Sequence, residues 1–256
     1  MNPEDPPAVT VVNAAGGSPL VLACEHASNY IPARFANLGL PAAALQRHIA
    51  YDIGAAAVAR HMAEQLDAVL VLSGYSRLLI DCNRPLESPT SIPVRSEDTD
   101  IPGNIGLTPE QRAERDRLFC APFRTRLGEI LEARMRARHP TLLIGVHSFT
   151  PVFLGVARPW HAGVLYLRAR RLAAALLAGL RAEPALVVGE NEPYRVTLEG
   201  DYTVPWQGEA RGIATALFEV RQDLIADDAG AATWGERLTR VLRPLVEDAG
   251  PLAGLD

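Results

Sequence analysis

Disulfides are the first thing this sequence does without. Cysteine occurs only at 24, 82 and 120, three widely spaced positions in 256 residues. An odd, scattered set excludes a disulfide framework and suits a reducing compartment. No uncharged apolar run reaches the roughly 18 residues of a spanning helix. The amino terminus, "MNPEDPPAVTVVNAAGG", has neither a basic segment nor a long apolar one, so no signal peptide is expected. A GxSxG elbow, a Walker sequence, a GxGxxG and a CxxC pair are also missing, which weakens serine-hydrolase, nucleotide-binding and thiol-redox readings. Positive charge is not in excess: 25 basic against 30 acidic residues leave a net −5, no electrostatic basis for binding nucleic acid. The expectation is a soluble cytoplasmic protein with neither nucleic acid nor membrane as partner.

What is present is an ordinary globular composition, 48% hydrophobic and 21% charged, sufficient for a sizeable core. Strand-like apolar runs fall at 9–12, 20–24, 68–72, 77–80, 141–146, 163–167, 185–188 and 214–220. Helical spacing of apolar residues marks 42–66, with Asp52 and Gly54 inside it, then 108–138, 168–181 and 233–247. The segment 108–138 is one long helix or two broken near Pro122, and Thr108-Pro109 supplies a capping residue followed by proline at its first turn. Strands alternating with helices predict an α/β fold of three layers, α/β/α, with a central mostly parallel or mixed sheet, in one domain spanning 1–256. The Pro- and Gly-rich stretch 83–106 is too long for a plain connection and is expected to be functional or disordered.

Two histidines stand where chemistry is expected. In "VLACEHASNY" an apolar run ends abruptly at Glu25-His26, and His147 directly follows "TLLIGV". Sheets of this type bind ligands at the carboxyl ends of their strands. Two histidines and a carboxylate make a hydrolytic zinc site with a position left for water. His48 and Asp52 are four apart and could share a helix face. "SRLLIDCNRP" brings Arg77, Asp81, Asn83 and Arg84, with guanidinium groups suited to gripping a carboxylate, or else an Asp81–Arg pair pinning a loop. "ALFEVRQD" sets Glu219 in an apolar run with Arg221 two residues on, on the same face. A buried glutamate needs a partner, a metal or a proton, so the two are either a site or a structural ion pair.

"CEHASNYIP", "YDIGA", "SRLLIDCNRP", "HSFTP", "NEPY" and "FEVRQDLI" follow one another over roughly 20–223. In that order they resemble the N-formylglutamate amidohydrolase family, within the wider group of zinc carboxypeptidases and aspartoacylases. The resemblance implies a zinc-carboxypeptidase-like fold, one zinc ion held by His26 and His147, and Glu219 as general base and acid. It also implies Arg77 at the oxyanion and Asn83 and Arg84 on a substrate carboxylate, and Arg221 is added as a further binding residue. The wider group takes its carboxylate ligand three residues after the first histidine, where this chain has Asn29. Asp52, in the "YDIGA" of the formylglutamate-type pattern, is therefore the expected third ligand, with Glu25 and His48 in reserve; Glu25 is otherwise left to orient a ligand from behind. The implied reaction is hydrolysis of a small N-acyl amino acid carrying a free carboxylate, N-formylglutamate to glutamate and formate. Alternatives are a zinc amidase or carboxypeptidase for another acyl amino acid or peptide, and a non-catalytic protein holding an acidic ligand with Arg77, Arg84 and Arg221.

Overall fold

A period of two decides which layer each buried strand serves. In Leu20–Cys24, residues Leu20, Leu22 and Cys24 join one apolar cluster and Val21 and Ala23 the other, as alternation across a pleat requires. The computed structural model, which describes residues 4–255, contains the strands β1 (Val9–Val12), β2 (Leu20–Cys24), β3 (Val69–Ser73), β4 (Arg95–Ser96), β5 (Thr99–Asp100), β6 (Leu142–Phe149), β7 (Val152–Phe153), β8 (Val156–Ala157), β9 (Ala162–Leu165), β10 (Val188–Glu190) and β11 (Ala214–Arg221). Its helices are α1 (Ala55–Gln65), α2 (Pro109–Arg115), α3 (Ala121–Arg136), α4 (Arg170–Arg181) and α5 (Asp228–Glu247).

Seven strands form one mixed sheet in the order β1-β3-β2-β6-β11-β9-β10. Its centre, β3-β2-β6-β11, is parallel, while β1 and β9 run against their neighbours β3 and β11. One cluster packs the sheet against α1, α4 and α5; the other packs it against α3 and the loop residues Leu78, Leu79 and Ile80. The layers are α/β/α, as expected. The segments β4-β5 and β7-β8 are separate hairpins.

Three sequence expectations are corrected. The apolar run 77–80 forms a turn, because the Ser76 hydroxyl accepts from the Leu78 amide at 3.2 Å and donates to the Ala50 carbonyl at 2.8 Å. The backbone is thereby folded away from the sheet while Leu78, Leu79 and Ile80 still bury. The stretch 42–66 is not one helix: a 3-10 turn covers Ala42–Gln46, and α1 begins only at Ala55. Gly54 is the reason, since it caps α1 at φ +78°, in the left-handed region that favours glycine. His48 and Asp52 consequently share no helix. His147 lies inside β6, not just beyond it, because β11 extends the pairing as far as Phe149.

The break at 108–138 falls where proline suggested. Thr108 closes a capping box with Gln111, a π turn occupies Asp116–Cys120, and Pro122 opens α3.

Gly54 is also crowded, as a Cβ there would lie 2.1 Å from the Ile225 carbonyl oxygen. Gly54→Ala is expected to cost about 2–4 kcal/mol through clash and left-handed strain, read as a lower urea midpoint at unchanged slope.

Candidate active site and metal centre

The carboxyl ends of the central parallel strands supply the site, and strand register sets the spacing. Glu219 of β11 pairs with His147 of β6, and two residues earlier Gly145 pairs with Leu217. A Cβ on Gly145 would meet the Leu217 side chain at 2.1 Å, so glycine leaves room for that side chain over the paired strands. Between β2 and β6, Ala23 pairs with Gly145. Continuing that register sets Glu25 beside His147.

His26 lies in the turn just past β2, and its carbonyl accepts from the Asp52 amide at 3.0 Å. That bond draws Asp52 out of the preceding loop into the strand ends. Ala50, two residues back, is held by the Ser76 hydroxyl and the Arg77 amide. The Ser148 hydroxyl donates to the Ile53 carbonyl at 2.8 Å. A short loop is thus tied from three sides to one place.

There His26 Nδ1 and His147 Nδ1 both face Asp52 Oδ2, at 3.2 and 2.8 Å. All three residues are buried, and one ligand atom from each lies within 4.8 Å of the others. The outer nitrogens have carboxylates of their own. His26 Nε2 is 2.7 Å from Asp81 Oδ1, and His147 Nε2 is 3.0 Å from Glu25 Oε2, which also receives the Thr203 hydroxyl on its other oxygen. Carboxylates behind ligating imidazoles fix the tautomer and leave the inner nitrogen free for a metal. Two inward imidazole nitrogens and one carboxylate oxygen are the donor set of hydrolytic zinc sites. The residues fit such an ion.

Charge balance agrees. Burial penalises Asp52 and Asp81, but neighbouring His26, with His147 beside Asp52 and Arg77 beside Asp81, holds both carboxyls below their ordinary value. Burial likewise penalises Glu25, and His147 outweighs it. Burial and the Arg77 charge push the His26 pKa down, whereas Asp81 and Asp52 raise it above the usual imidazole value. His147 is pushed down by burial and raised further by Glu25 and Asp52. With a carboxylate against each nitrogen, both rings hold a second proton more tightly than a free imidazole does.

Glu219 behaves differently. It is buried and its Oε2 has no hydrogen-bond partner. Burial raises its pKa from 4.5 to about 7, against the pull of His147. Proton exchange at neutral pH needs such a group.

Around these groups lies a cavity of about 490 Å³, whose walls include Arg77, Asn83, Arg84, Phe149, Tyr194 and Arg195. Arg77 bridges Asp52 and Asp81 at 3.2 and 3.0 Å. Arg84 donates to the Gly200 carbonyl and lies 3.3 Å from Asp201, while its Nε is 3.8 Å from Asp81. Asn83 lines the cavity, but its carboxamide oxygen accepts from the Tyr202 and Thr203 amides at 3.2 and 2.9 Å. That oxygen is committed to holding the 201–203 loop. Arg221 is outside the cavity walls and bound to Asp223 at 2.8 Å, so neither a substrate contact nor a Glu219 pair forms: at the end of β11 its long side chain reaches the next turn. Asn29 donates to the Leu45 carbonyl, and His48 faces Glu97 at 3.2 Å; neither reaches the triad.

The ion pair foreseen for Asp81 exists, but its contact with His26 had no signal in the sequence, since residues 26 and 81 are joined only by folding. Arg195 and Phe149 were missed for the same reason.

The sequence model of the N-formylglutamate amidohydrolase family matches residues 18–226. Among solved structures, the gene product Atu2144 of Agrobacterium tumefaciens is 38% identical with a TM-score of 0.91, over 96% of this chain and 97% of its own. An N-formylglutamate amidohydrolase of Ralstonia eutropha JMP134 is 19% identical at a TM-score of 0.70, over 94% of this chain and 98% of its own, a likeness of fold. Among curated proteins none matches.

Two outcomes check the centre. Zinc added to metal-free protein should displace protons from the imidazoles that ligate it, so binding should release protons and weaken as pH falls, measured by titration calorimetry in buffers of different ionisation enthalpy. For Glu219 the sign follows from its raised pKa. The folded chain binds the proton more tightly, so stability is full below about 4.5 and falls as pH rises through about 7. Metal-free wild type should therefore lose about 3 kcal/mol relative to Glu219→Gln between pH 4.5 and 7.5, read by denaturant titration at each pH.

Proposed function

Because the chain belongs to the N-formylglutamate amidohydrolase family, whose members hydrolyse amides, we propose that it cleaves a small N-acyl amino acid, N-formylglutamate first among them, with one zinc ion held by His26, Asp52 and His147. The observation that carries this reading is the unpartnered Glu219 oxygen set, by register, beside three converging ligand residues. A bound dication supplies Lewis acidity, polarising a carbonyl and making water more acidic.

The chain's own groups do the rest. Glu219 takes a proton from the attacking water and hands it to the nitrogen as the carbon–nitrogen bond breaks. Formate and the free amino acid leave, and the carboxylate is regenerated. A pKa near neutrality lets one residue serve as base and then acid. Arg77, held rigid between Asp52 and Asp81, faces the cavity and stabilises negative charge developing on the carbonyl oxygen, at no reorganisation cost. Arg84 lines the same wall and anchors the substrate's α-carboxylate, placing the scissile bond. Asn83 supports Arg84 indirectly, by fixing the loop that carries Asp201. Asp81 and Glu25 hold the imidazoles in ligand orientation.

Glu219→Gln is the decisive variant. It should retain one zinc per chain by elemental analysis while hydrolysis of N-formylglutamate falls by about three orders of magnitude or more. An undiminished rate removes Glu219 from the mechanism, and wild type that binds no divalent metal removes the centre.

A further inference from the structure

The chain contains no lysine; all 25 basic residues are arginine. Every side-chain cation in the cavity wall is therefore an arginine or a protonated histidine, and each can be followed to its counter-charge. His26 has Asp52 and Asp81, His147 has Glu25 and Asp52, and His48 faces Glu97. Arg77 bridges Asp52 and Asp81, Arg84 meets Asp201, and Arg95 pairs with Asp100 at 2.7 Å. Arg195 is the exception. Among the described residues it lines the cavity with no hydrogen bond, ion pair or aromatic ring to its guanidinium.

The backbone that carries Arg195 is nevertheless fixed. Val196 buries in an apolar cluster with Leu165, Val204 and Leu217. Thr197 donates its amide to Asp201 at 2.9 Å, and its hydroxyl accepts from the Gly200 amide at 2.9 Å. On the other side, the Tyr194 hydroxyl accepts from Arg158 at 2.9 Å. Gly200 and Asp201 are also the partners of Arg84, so one stapled segment carries Arg195 and braces the proposed α-carboxylate anchor. The Arg195 side chain is exposed on this fixed backbone, so its guanidinium is open to take a counter-ion from a ligand that enters the cavity.

From this we infer that Arg195 is the specificity residue that receives a second carboxylate, on the side chain of the substrate. The preferred substrates are then N-acyl amino acids with an acidic side chain, while neutral side chains leave the guanidinium unpaired. The inference rests on the amide-hydrolase reading for the identity of the ligand; the anion subsite rests on Arg195 itself.

The test uses the zinc-loaded chain, Arg195→Gln and Arg195→Lys, with two readouts. In the first, kcat/KM is measured on N-formyl-L-glutamate and on its neutral isostere N-formyl-L-glutamine. Arg195→Gln should lower the glutamate value by about 10- to 100-fold, mostly through KM, as expected for one charge-assisted contact. The glutamine value should move by less than about threefold, and Arg195→Lys should recover part of the loss. In the second, L-glutamate and L-glutamine are titrated calorimetrically into the same three proteins. Wild type should prefer glutamate, and Arg195→Gln should erase the preference. Equal losses on both substrates, or a glutamate preference that survives in Arg195→Gln, overturns the inference. If wild type hydrolyses neither compound while Arg195→Gln still erases the binding preference, the hydrolytic reading falls and the anion subsite stands.

Discussion

One carboxylate oxygen, Asp52 Oδ2, is the point on which the rest of the structure depends. It faces the inner nitrogens of His26 and His147 and accepts the Ser148 amide, while Asp52 Oδ1 takes Arg77. A carboxylate buried to this degree is tolerated only with opposite charge and hydrogen bonds around it. The surrounding polymer meets that requirement. The His26 carbonyl, the Ser148 hydroxyl and the Ser76 hydroxyl all bond to the short segment 50–53, and Gly54 lets the chain turn at once into α1.

The sheet acts as the ruler. Parallel strands β2, β6 and β11 end at a common edge, the usual place for ligands in such sheets. Because side chains on paired strands share a face, register alone sets Glu219 beside His147. Carboxylates behind each histidine complete a rigid frame. Arg47 ties the β4-β5 hairpin through Glu97 and Thr99, and the 194–201 segment carries the wall opposite the strand ends.

This division explains the different fates of the arginines. Arg77 and Arg84 sit among carboxylates that set their positions and moderate their charge. Arg221, two residues from Glu219 in sequence, is drawn off by Asp223 at the strand end. Proximity along the chain did not translate into proximity to the site, since a long flexible side chain follows the nearest partner its backbone allows.

Local chemistry was enough to determine much. Apolar alternation with helical stretches announced a layered α/β fold, the motif order pointed to a hydrolase family, and His26 and His147 stood out because strands rarely end in imidazoles. Thr108 and Pro122 marked helix boundaries because caps and prolines act within a turn of themselves. Tertiary structure decided the remainder. The run 77–80 became a turn through the Ser76 hydroxyl, Asp81 met His26 from 55 residues away, and Asn83 was spent on backbone amides. Arg195 was left without a counter-charge for a like reason: ion pairs and strand registers are settled between segments distant in the chain, where no local pattern of residues records which groups will meet.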